Sequence, residues 1–391
     1  MDTYSQSIPI TLNENSKKLL NALSIKNFSI NKRISTFYLI QKFLKQNSII
    51  HNECLKKIEK SSNLYTNLQN KDLLENSSEY IYSIDDNNLL LLVKQIGTQS
   101  VNGIIFKVVG NIEHNFEKSI IISCKIIAKK DDHKKEIEIL NLLTLQVLNK
   151  INIHFPISYF TFFCNSKHGE STHYPELIEN NKYYMNLNEI AEGDVSDLLE
   201  NTLGEKSYNN LIAQIIVAIY SFHKLGYTHN DAHTGNFLYH ILSRPNNSFA
   251  YNIFSRNYYI NNVEFLIVLW DFATAQEYYE PDYHKDYIKI FKSIKDTIID
   301  SKDSKGSKDI EDSKGSKDIE DIEDIVMHQD DEDTTDDEGS SSKNILDDII
   351  DYLQKNTENT EDEFIKYILT LGLFSTQLQH KYKRVNNVIK L

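Results

Sequence analysis

The stretch YTHNDAHTGNFLYH (227–240) decides the interpretation of this chain, together with FLIVLWDFATAQ (265–276) further along. The first stretch is a polar loop between apolar residues. It directly follows residues 208–225, in which apolar side chains recur at helical spacing and which end at Gly226. The second stretch is an apolar strand that runs into Asp271. The sequence therefore predicts a buried helix and a buried strand that each lead into a polar loop.

Upstream of these loops, short apolar runs separated by turn-like stretches predict a small antiparallel sheet. The predicted strands are 89–93, 104–109, 119–127, 154–163 and 183–190. Residues 134–148 carry apolar side chains at helical spacing and predict one helix among these strands. Residues 1–84 are predicted to be a helical extension, with helical stretches such as 35–44 and 54–60. This order, a sheet with one helix followed by helices, predicts an α+β fold of two lobes.

The acidity of the chain is concentrated in one segment. The 391 residues include 42 Lys+Arg and 56 Asp+Glu, a net charge of -14, and residues 300–340 alone carry -12 of it. This segment contains the repeat DSKGSKDIE at 303–311 and 312–320. Like charge and few aromatics leave too little apolar area to offset the entropy of ordering, so 300–343 is predicted to be a disordered acidic insertion before C-terminal helices in 344–391. The nearly neutral remainder makes nucleic acid an unexpected partner.

The remaining composition favours a soluble protein. No apolar run approaches the roughly 18 to 20 residues that cross a bilayer, and the first ten residues, MDTYSQSIPI, lack a leader pattern. A cytoplasmic protein with no membrane partner is therefore expected. Cys54, Cys124 and Cys164 lie far apart without CxxC spacing, which argues against a disulfide framework or a structural zinc site.

The two polar loops carry the residue types that phosphoryl transfer requires, namely carboxylate and amide oxygens that hold metal ions and orient the acceptor. His229, Asp231 and Asn236 match the pattern H-x-D-x-x-x-x-N. Asp271 and Phe272 match the pattern D-F-x at the end of the predicted strand. Together these motifs resemble the catalytic and metal-binding loops of the protein-kinase-like superfamily. The resemblance implies a bilobal kinase-like fold within 85–299 and 344–391 and a kinase that uses ATP and Mg²⁺.

Upstream residues extend the resemblance in the expected order. Gly97, Ser100 and Gly103 lie where a glycine-rich loop covers phosphates, and Lys125 is a strand lysine. At about 100° per residue, Glu136 lies on the apolar face of its helix, whereas Glu138 lies about 200° away from it. The resemblance implies that Lys125 holds the α and β phosphates and pairs with Glu136.

The resemblance also implies a role for each polar residue of the large lobe. Asp231 would accept or orient the proton of the acceptor hydroxyl, and Asn236 and Asp271 would hold Mg²⁺. The backbone of Glu189 through Glu192, after the last strand of the sheet, would bind adenine.

Several positions depart from the family pattern. Ser100 replaces the middle glycine of the loop, Asn230 the arginine of HRD, and Ala273 the glycine of DFG, and no APE motif follows. His233 stands where serine/threonine kinases usually have lysine, so HxDxHxxN is also similar to the loop of aminoglycoside and choline kinases. Arg is rare beside Lys, and Asn, Ile and Tyr are abundant, which fits a coding sequence rich in A and T. Together with the divergent motifs, this bias resembles kinase-like proteins of large DNA viruses, which would imply the cytoplasm of a host cell.

The sequence therefore favours ATP-dependent transfer to Ser or Thr of a protein substrate of basic or unknown character. One alternative is a small-molecule phosphotransferase, favoured by His233 and the missing APE. Another is a non-catalytic scaffold with a kinase fold. The presence of every charged residue that the chemistry needs argues against the scaffold.

Overall fold

The computed structural model describes residues 30–51, 54–59, 61–64, 66, 81–100, 103–110, 121–128, 131–165, 182–200, 203–242, 247–308, 345–379, 383–384 and 389–391. Within these ranges the chain has the predicted α+β architecture, with a curled antiparallel sheet followed by helices. Across the same ranges no helix combines the length and the apolarity that a membrane span requires.

Seven antiparallel strands form the large sheet in the order β1-β2-β3-β4-β5-β7-β6. The strands are β1 (Lys56–Ile58), β2 (Ile81–Ser83), β3 (Leu90–Ser100), β4 (Gly103–Gly110), β5 (Ile121–Ala128), β6 (Ser158–Asn165) and β7 (Lys182–Asn188). In β4 the side chains of Ile104, Phe106 and Val108 are buried on one face, because successive residues of a strand point to opposite faces. This face forms the core of the sheet region.

Two helices pack on the sheet. Helix α1 (Ile30–Gln46) precedes it and contacts β6, where the Gln41 amide donates to the backbone of Tyr159. Helix α2 (Asp131–Leu148) follows β5 and buries Leu140 and Leu143 in the core, as its helical spacing predicted.

The predicted helical extension, 1–84, is correct only in part. Helix α1 contains the predicted stretch 35–44, but the prediction of a helix over 54–60 is wrong because β1 lies there, and β2 also belongs to the sheet. A short apolar run suits either element, and pairing of buried Ile58 with buried Ile81 selects the strand. Residues 1–29 lie outside the described residues.

The expectation of no disulfide is wrong as well. Cys54 and Cys164 are joined although 110 residues separate them in sequence, whereas Cys124 is a free, buried cysteine. The fold brings the segment before β1 against the end of β6. Sequence spacing contains no signal for such a long-range contact.

The second half of the chain is built around helices and small sheets. The helices are α3 (Val195–Glu200), α4 (Glu205–Lys224), α5 (His284–Lys308), α6 (Ile345–Lys355) and α7 (Glu361–Ile368). Every residue of α4 from 210 to 223 is buried, and the helix is followed by Gly226 at φ 88°, a left-handed conformation that favours glycine. The central helix was thus predicted correctly, including its end.

Short strands in this half fix the two polar loops. These strands are β8 (Gly193–Asp194), β9 (Tyr227–Thr228), β10 (Phe237–Ile241), β11 (Asn247–Ile253), β12 (Arg256–Val263), β13 (Phe265–Leu269), β14 (Gln276–Glu277), β15 (Lys383–Arg384) and β16 (Ile389–Lys390). Strand β9 pairs with β14 and β10 pairs with β13, both antiparallel. The loop between β9 and β10 therefore lies beside the loop between β13 and β14.

The predicted insertion, 300–343, begins inside a helix. Helix α5 continues to Lys308, so residues 300–308, the first part of the predicted insertion, are helical rather than disordered. Once the packed turns of a helix have formed, each further residue adds a hydrogen bond at low cost, which explains the extension. Residues 309–344, which include most of the predicted insertion, lie outside the described residues.

Candidate active site

Hydrogen bonds join the two polar loops. The Trp270 amide donates to Asn236 O at 2.8 Å, and the Thr274 hydroxyl donates to His229 O at 2.9 Å. The His229 ring spans the gap, with Nε2 2.8 Å from Trp270 O and Nδ1 3.3 Å from the amide of Asp231. Burial lowers the pKa of His229, so the ring is neutral and its Nε2–H donates to the carbonyl. His229 braces the two loops.

A buried lysine connects the sheet to the second loop. Lys125 of β5, with 2% of its surface exposed, donates to Glu136 Oε1 at 2.6 Å and to Asp271 Oδ1 at 2.7 Å. Glu136 of α2 faces inward, as helix geometry predicted, and contacts Lys125. Three charged side chains from three elements thus form one ion-pair cluster.

The charges in this cluster perturb one another. Burial acts to lower the pKa of Lys125, but the two carboxylates outweigh it and raise that pKa. Burial acts to raise the pKa of Asp271, but the Lys125 ammonium holds it below its ordinary value. Burial dominates at Glu136 and raises its pKa, although Lys125 opposes this. The lysine is therefore charged and Asp271 is an anion at neutral pH.

Asp231 and Asn236 lie together in the first loop. Asn236 Nδ2 donates to the backbone oxygen of Asp231 at 2.8 Å and lies 3.5 Å from its Oδ2. Lys289 of α5 donates to Asp231 Oδ1, and its Nζ is 3.2 Å from Asn230 O. Sequence reasoning did not include Lys289, because it lies more than fifty residues from the loop.

Asp286 of α5 also stabilises the first loop, and the sequence analysis did not identify this residue. Its carboxylate accepts from the backbone amides of His229, at 2.7 Å, and Asn230, at 2.8 Å. His223 of α4 stands between Asp286, at 3.1 Å, and Glu361 of α7, at 2.7 Å. The C-terminal helix α7 is thereby linked through buried charges to the loop that carries Asp231.

Gly103, the first residue of β4, lies against Lys125. Gly103 has φ 147°, and a Cβ there would meet Ile126 O at 2.7 Å and Lys125 Cε at 3.4 Å, so the position requires glycine. Gly97 and Ser100 lie in β3, where the strand register shifts between Ile96 and Ser100. Residues 101–102 at the tip lie outside the described residues, and phosphate contacts of Gly97 and Ser100 stay a prediction.

The backbone groups of Glu189 were predicted to bind adenine, but both make hydrogen bonds within the protein. Its amide donates to Ile157 O at 3.0 Å, and its carbonyl accepts from Ser123 Oγ at 3.1 Å. Its buried side chain pairs with Arg33 of α1. The segment before β6, strand β5 and helix α1 already use these groups, which the prediction did not take into account.

Glu192 is also engaged. Its amide donates to Tyr239 O at 3.1 Å, and its carboxylate lies 3.2 Å from His240 Nδ1. Among the described residues, the backbone groups of Ile190 and Ala191 make no hydrogen bond. The backbone groups that can bind a ligand are therefore those of Ile190 and Ala191, in the middle of the predicted segment 189–192.

Two loop residues adopt the left-handed conformation, Asn230 at φ 63° and Asp271 at φ 58°. Asp and Asn tolerate this conformation better than other non-glycine residues, and such strain clusters at functional sites.

His233 lies two residues after Asp231. Its Nδ1 accepts from the Gly235 amide at 3.2 Å, and its Nε2 lies 3.6 Å from Asp231 Oδ2. The bonds of His229 to both loops therefore hold the loop of Asp231 next to the loop of Asp271.

Comparison with known proteins adds no family assignment, since no protein-family model and no curated protein matches this chain.

Proposed function

We propose that this chain is a divergent protein-kinase-like enzyme with a bilobal fold. It transfers the γ-phosphoryl group of ATP to a hydroxyl, and a Ser or Thr of a protein is the preferred acceptor. The observation that carries the proposal is the contact of Lys125 with both Glu136 and Asp271, at 2.6 and 2.7 Å. A buried lysine shared by two carboxylates from distant elements is costly to maintain for stability alone, which supports a functional role.

Each contact supports one step of this reaction. Mg·ATP supplies the phosphoryl group together with the cation that neutralises it. Glu136 positions Lys125, whose ammonium is then available to phosphate oxygens. Asp231 orients the acceptor hydroxyl and takes its proton, while neutral His229 keeps the two loops at a constant separation.

The residues present suit Mg²⁺. Asp271 contributes a carboxylate, and Asn236 contributes an amide oxygen that accepts no hydrogen bond from the described residues. Magnesium in kinases is held by few protein oxygens and completes its shell with phosphate oxygens and water. Asn236 and Asp271 would therefore hold the ion at the junction of the two loops.

The adenine contact is reassigned. Because the amides of Glu189 and Glu192 are engaged within the protein, we assign the backbone of Ile190 and Ala191 to the adenine edge. Backbone groups that lack a protein partner favour hydrogen bonding to a ligand or to water.

Ligand-dependent stabilisation tests nucleotide binding. Mg·ATP should raise the Tm, since a ligand at about 100 times its Kd stabilises the folded state by about 2.7 kcal/mol. Asp271→Asn should abolish the Mg²⁺-dependent part of this shift. Asp282→Asn is the matched control, because the Asp282 side chain is exposed and, among the described residues, its carboxylate pairs with Lys285 alone. No shift of the wild-type protein at millimolar Mg·ATP would favour the scaffold alternative.

Turnover tests catalysis separately. Asp231→Asn should still bind Mg·ATP while its turnover falls by about 10² to 10⁴, the usual contribution of a general base. Wild-type turnover by this variant would refute the role of the loop.

One observation favours the small-molecule alternative. Helix α5 begins at His284, only shortly after Asp271, which leaves little chain for a surface that docks a peptide. A comparison of labelled phosphate transfer to basic proteins, acidic proteins and a panel of hydroxylated metabolites discriminates the two acceptors.

A further inference from the structure

One face of helix α5 follows the first polar loop from end to end. Asp286, Lys289 and Ser293 are spaced three and four residues apart, so they lie on the same helix face. Asp286 accepts from two loop amides, and Ser293 Oγ accepts from the Thr234 amide at 3.1 Å. Lys289 lies between them and contacts the Asp231 carboxylate.

The two oxygens of Asp231 are held differently. Oδ1 accepts from the Lys289 ammonium, which also donates to Asn230 O at 3.2 Å. Oδ2 lies 3.5 Å from Asn236 Nδ2 and 3.6 Å from His233 Nε2, both at the limit of hydrogen bonding. One oxygen is therefore anchored and the other is left to accept a proton.

The contact between Lys289 and Asp231 is not an isolated ion pair on the surface, because neighbouring groups of the helix bind the same loop. The Lys289 ammonium binds a backbone carbonyl and a side-chain carboxylate of consecutive residues, and Asp286 on the same face binds the amides just before them. The loop itself has His233 at the position where a lysine was expected. The helix thus provides the cation that the loop lacks.

We propose that Lys289 is a positioning residue for phosphoryl transfer, an inference that rests on the proposed function. It holds Oδ1 of Asp231 so that Oδ2 meets the acceptor hydroxyl. In the step, the acceptor oxygen forms a bond to the γ-phosphorus while the bond from that phosphorus to the bridging oxygen breaks. The bridging oxygen leaves with the electron pair on ADP, and the hydroxyl proton passes to Asp231 Oδ2.

The chain offers a matched control on the same helix. Lys285 lies one turn before Lys289, is similarly exposed and pairs with Asp282 at 2.6 Å, outside the loop. Lys285→Met makes the same chemical change as Lys289→Met, because both remove an ammonium group and keep a long side chain. It does so away from Asp231.

The experiment measures transfer from labelled Mg·ATP to a lysine-rich histone and to water, with Mg·ATP affinity measured separately. Lys289→Met should lower kcat about 100-fold with Mg·ATP affinity unchanged, because misplacing a catalytic group by about 1 Å can lower the rate by that factor. Lys289→Arg should restore most of the rate, and Lys285→Met should keep the wild-type rate. Combined with Asp231→Asn, the Lys289→Met substitution should cause no further loss, since the two residues act as one unit.

The outcomes separate the two proposals. An active wild type with an equally active Lys289→Met would overturn the role of Lys289 and leave the proposed function standing. A further 100-fold loss in the double variant would also overturn it, because Lys289 would then act independently of Asp231. A wild type that binds Mg·ATP but transfers phosphate neither to histone or water nor to any protein or metabolite of the acceptor panel refutes both proposals. If Lys289→Met fails to fold, a low rate in folded Lys289→Arg with unchanged affinity would overturn the inference.

Discussion

Removal of Arg33 is expected to destabilise the protein strongly, although this residue lies in the helix before the sheet. Its guanidinium is buried, with 3% of the residue exposed, and pairs with both carboxylate oxygens of Glu189. It also donates to Ile153 O at 2.7 Å and to Phe155 O at 2.6 Å. Arg33→Ala therefore leaves one buried carboxylate and two carbonyl oxygens without this donor.

The magnitude follows from these contacts. Breaking a buried pair by removing one partner lowers the free energy of unfolding by about 3 to 5 kcal/mol. A buried carbonyl that loses its donor adds about 1 to 3 kcal/mol, less where water reaches it. Because the contributions overlap, we expect a loss of about 4 kcal/mol at neutral pH. This is a large part of the roughly 5 to 15 kcal/mol that stabilises a typical domain.

The pH dependence of this loss has a defined sign. Burial acts to raise the pKa of Glu189, but Arg33 holds it below its ordinary value. The native pair therefore stabilises the fold above about pH 4.5 and loses that effect as the pH falls. In Arg33→Ala burial acts unopposed by Arg33, so Glu189 takes up a proton more readily. The difference between wild type and variant should be larger at pH 8 than at pH 5.

Urea unfolding followed by circular dichroism measures this difference through the midpoint and the slope. Lys134→Ala is the control, because Lys134 and Glu138 form an exposed pair at 3.6 Å whose loss should change stability by less than about 1 kcal/mol. Equal stability of Arg33→Ala and Lys134→Ala, at either pH, would refute the reasoning.

Two further predictions concern the buried histidine and the disulfide. Burial acts to lower the pKa of His223, but Asp286 and Glu361 raise it to about 9. The stabilisation it contributes is present below about pH 6.5 and lost as the pH rises through about 9, and His223→Gln should remove about 3 kcal/mol of this pH dependence in urea unfolding. Parallel stability curves of wild type and variant from pH 6 to 10 would contradict this. Cys54→Ser should lower stability by about 4 kcal/mol because the bond to Cys164 closes a long loop. A reductant should lower the Tm of wild type but not of the variant, and an unchanged wild-type Tm would argue against the bond.

The elements with a strong local period could be predicted from the sequence. Helix α4 and the strands around Lys125 have apolar side chains at regular spacing over many residues, so their identity does not depend on distant contacts. The inward direction of Glu136 also followed from helix geometry alone, and the Lys125 contact is present. The short run at Lys56–Ile58 had no such period, and strand pairing decided it.

The candidate site divides in the same way. The residues of its two loops, Asp231 and Asp271, are recognisable because their spacing within the loops is local. The groups that hold those loops, Asp286 and Lys289, come from a helix that begins beyond both loops, and Arg33 reaches Glu189 across 156 residues. By itself the sequence determined the elements that have a long regular period and indicated the candidate residues of the two loops. Tertiary structure alone decided the partners of Arg33, Glu189 and Asp286, because these contacts join segments with no common sequence period.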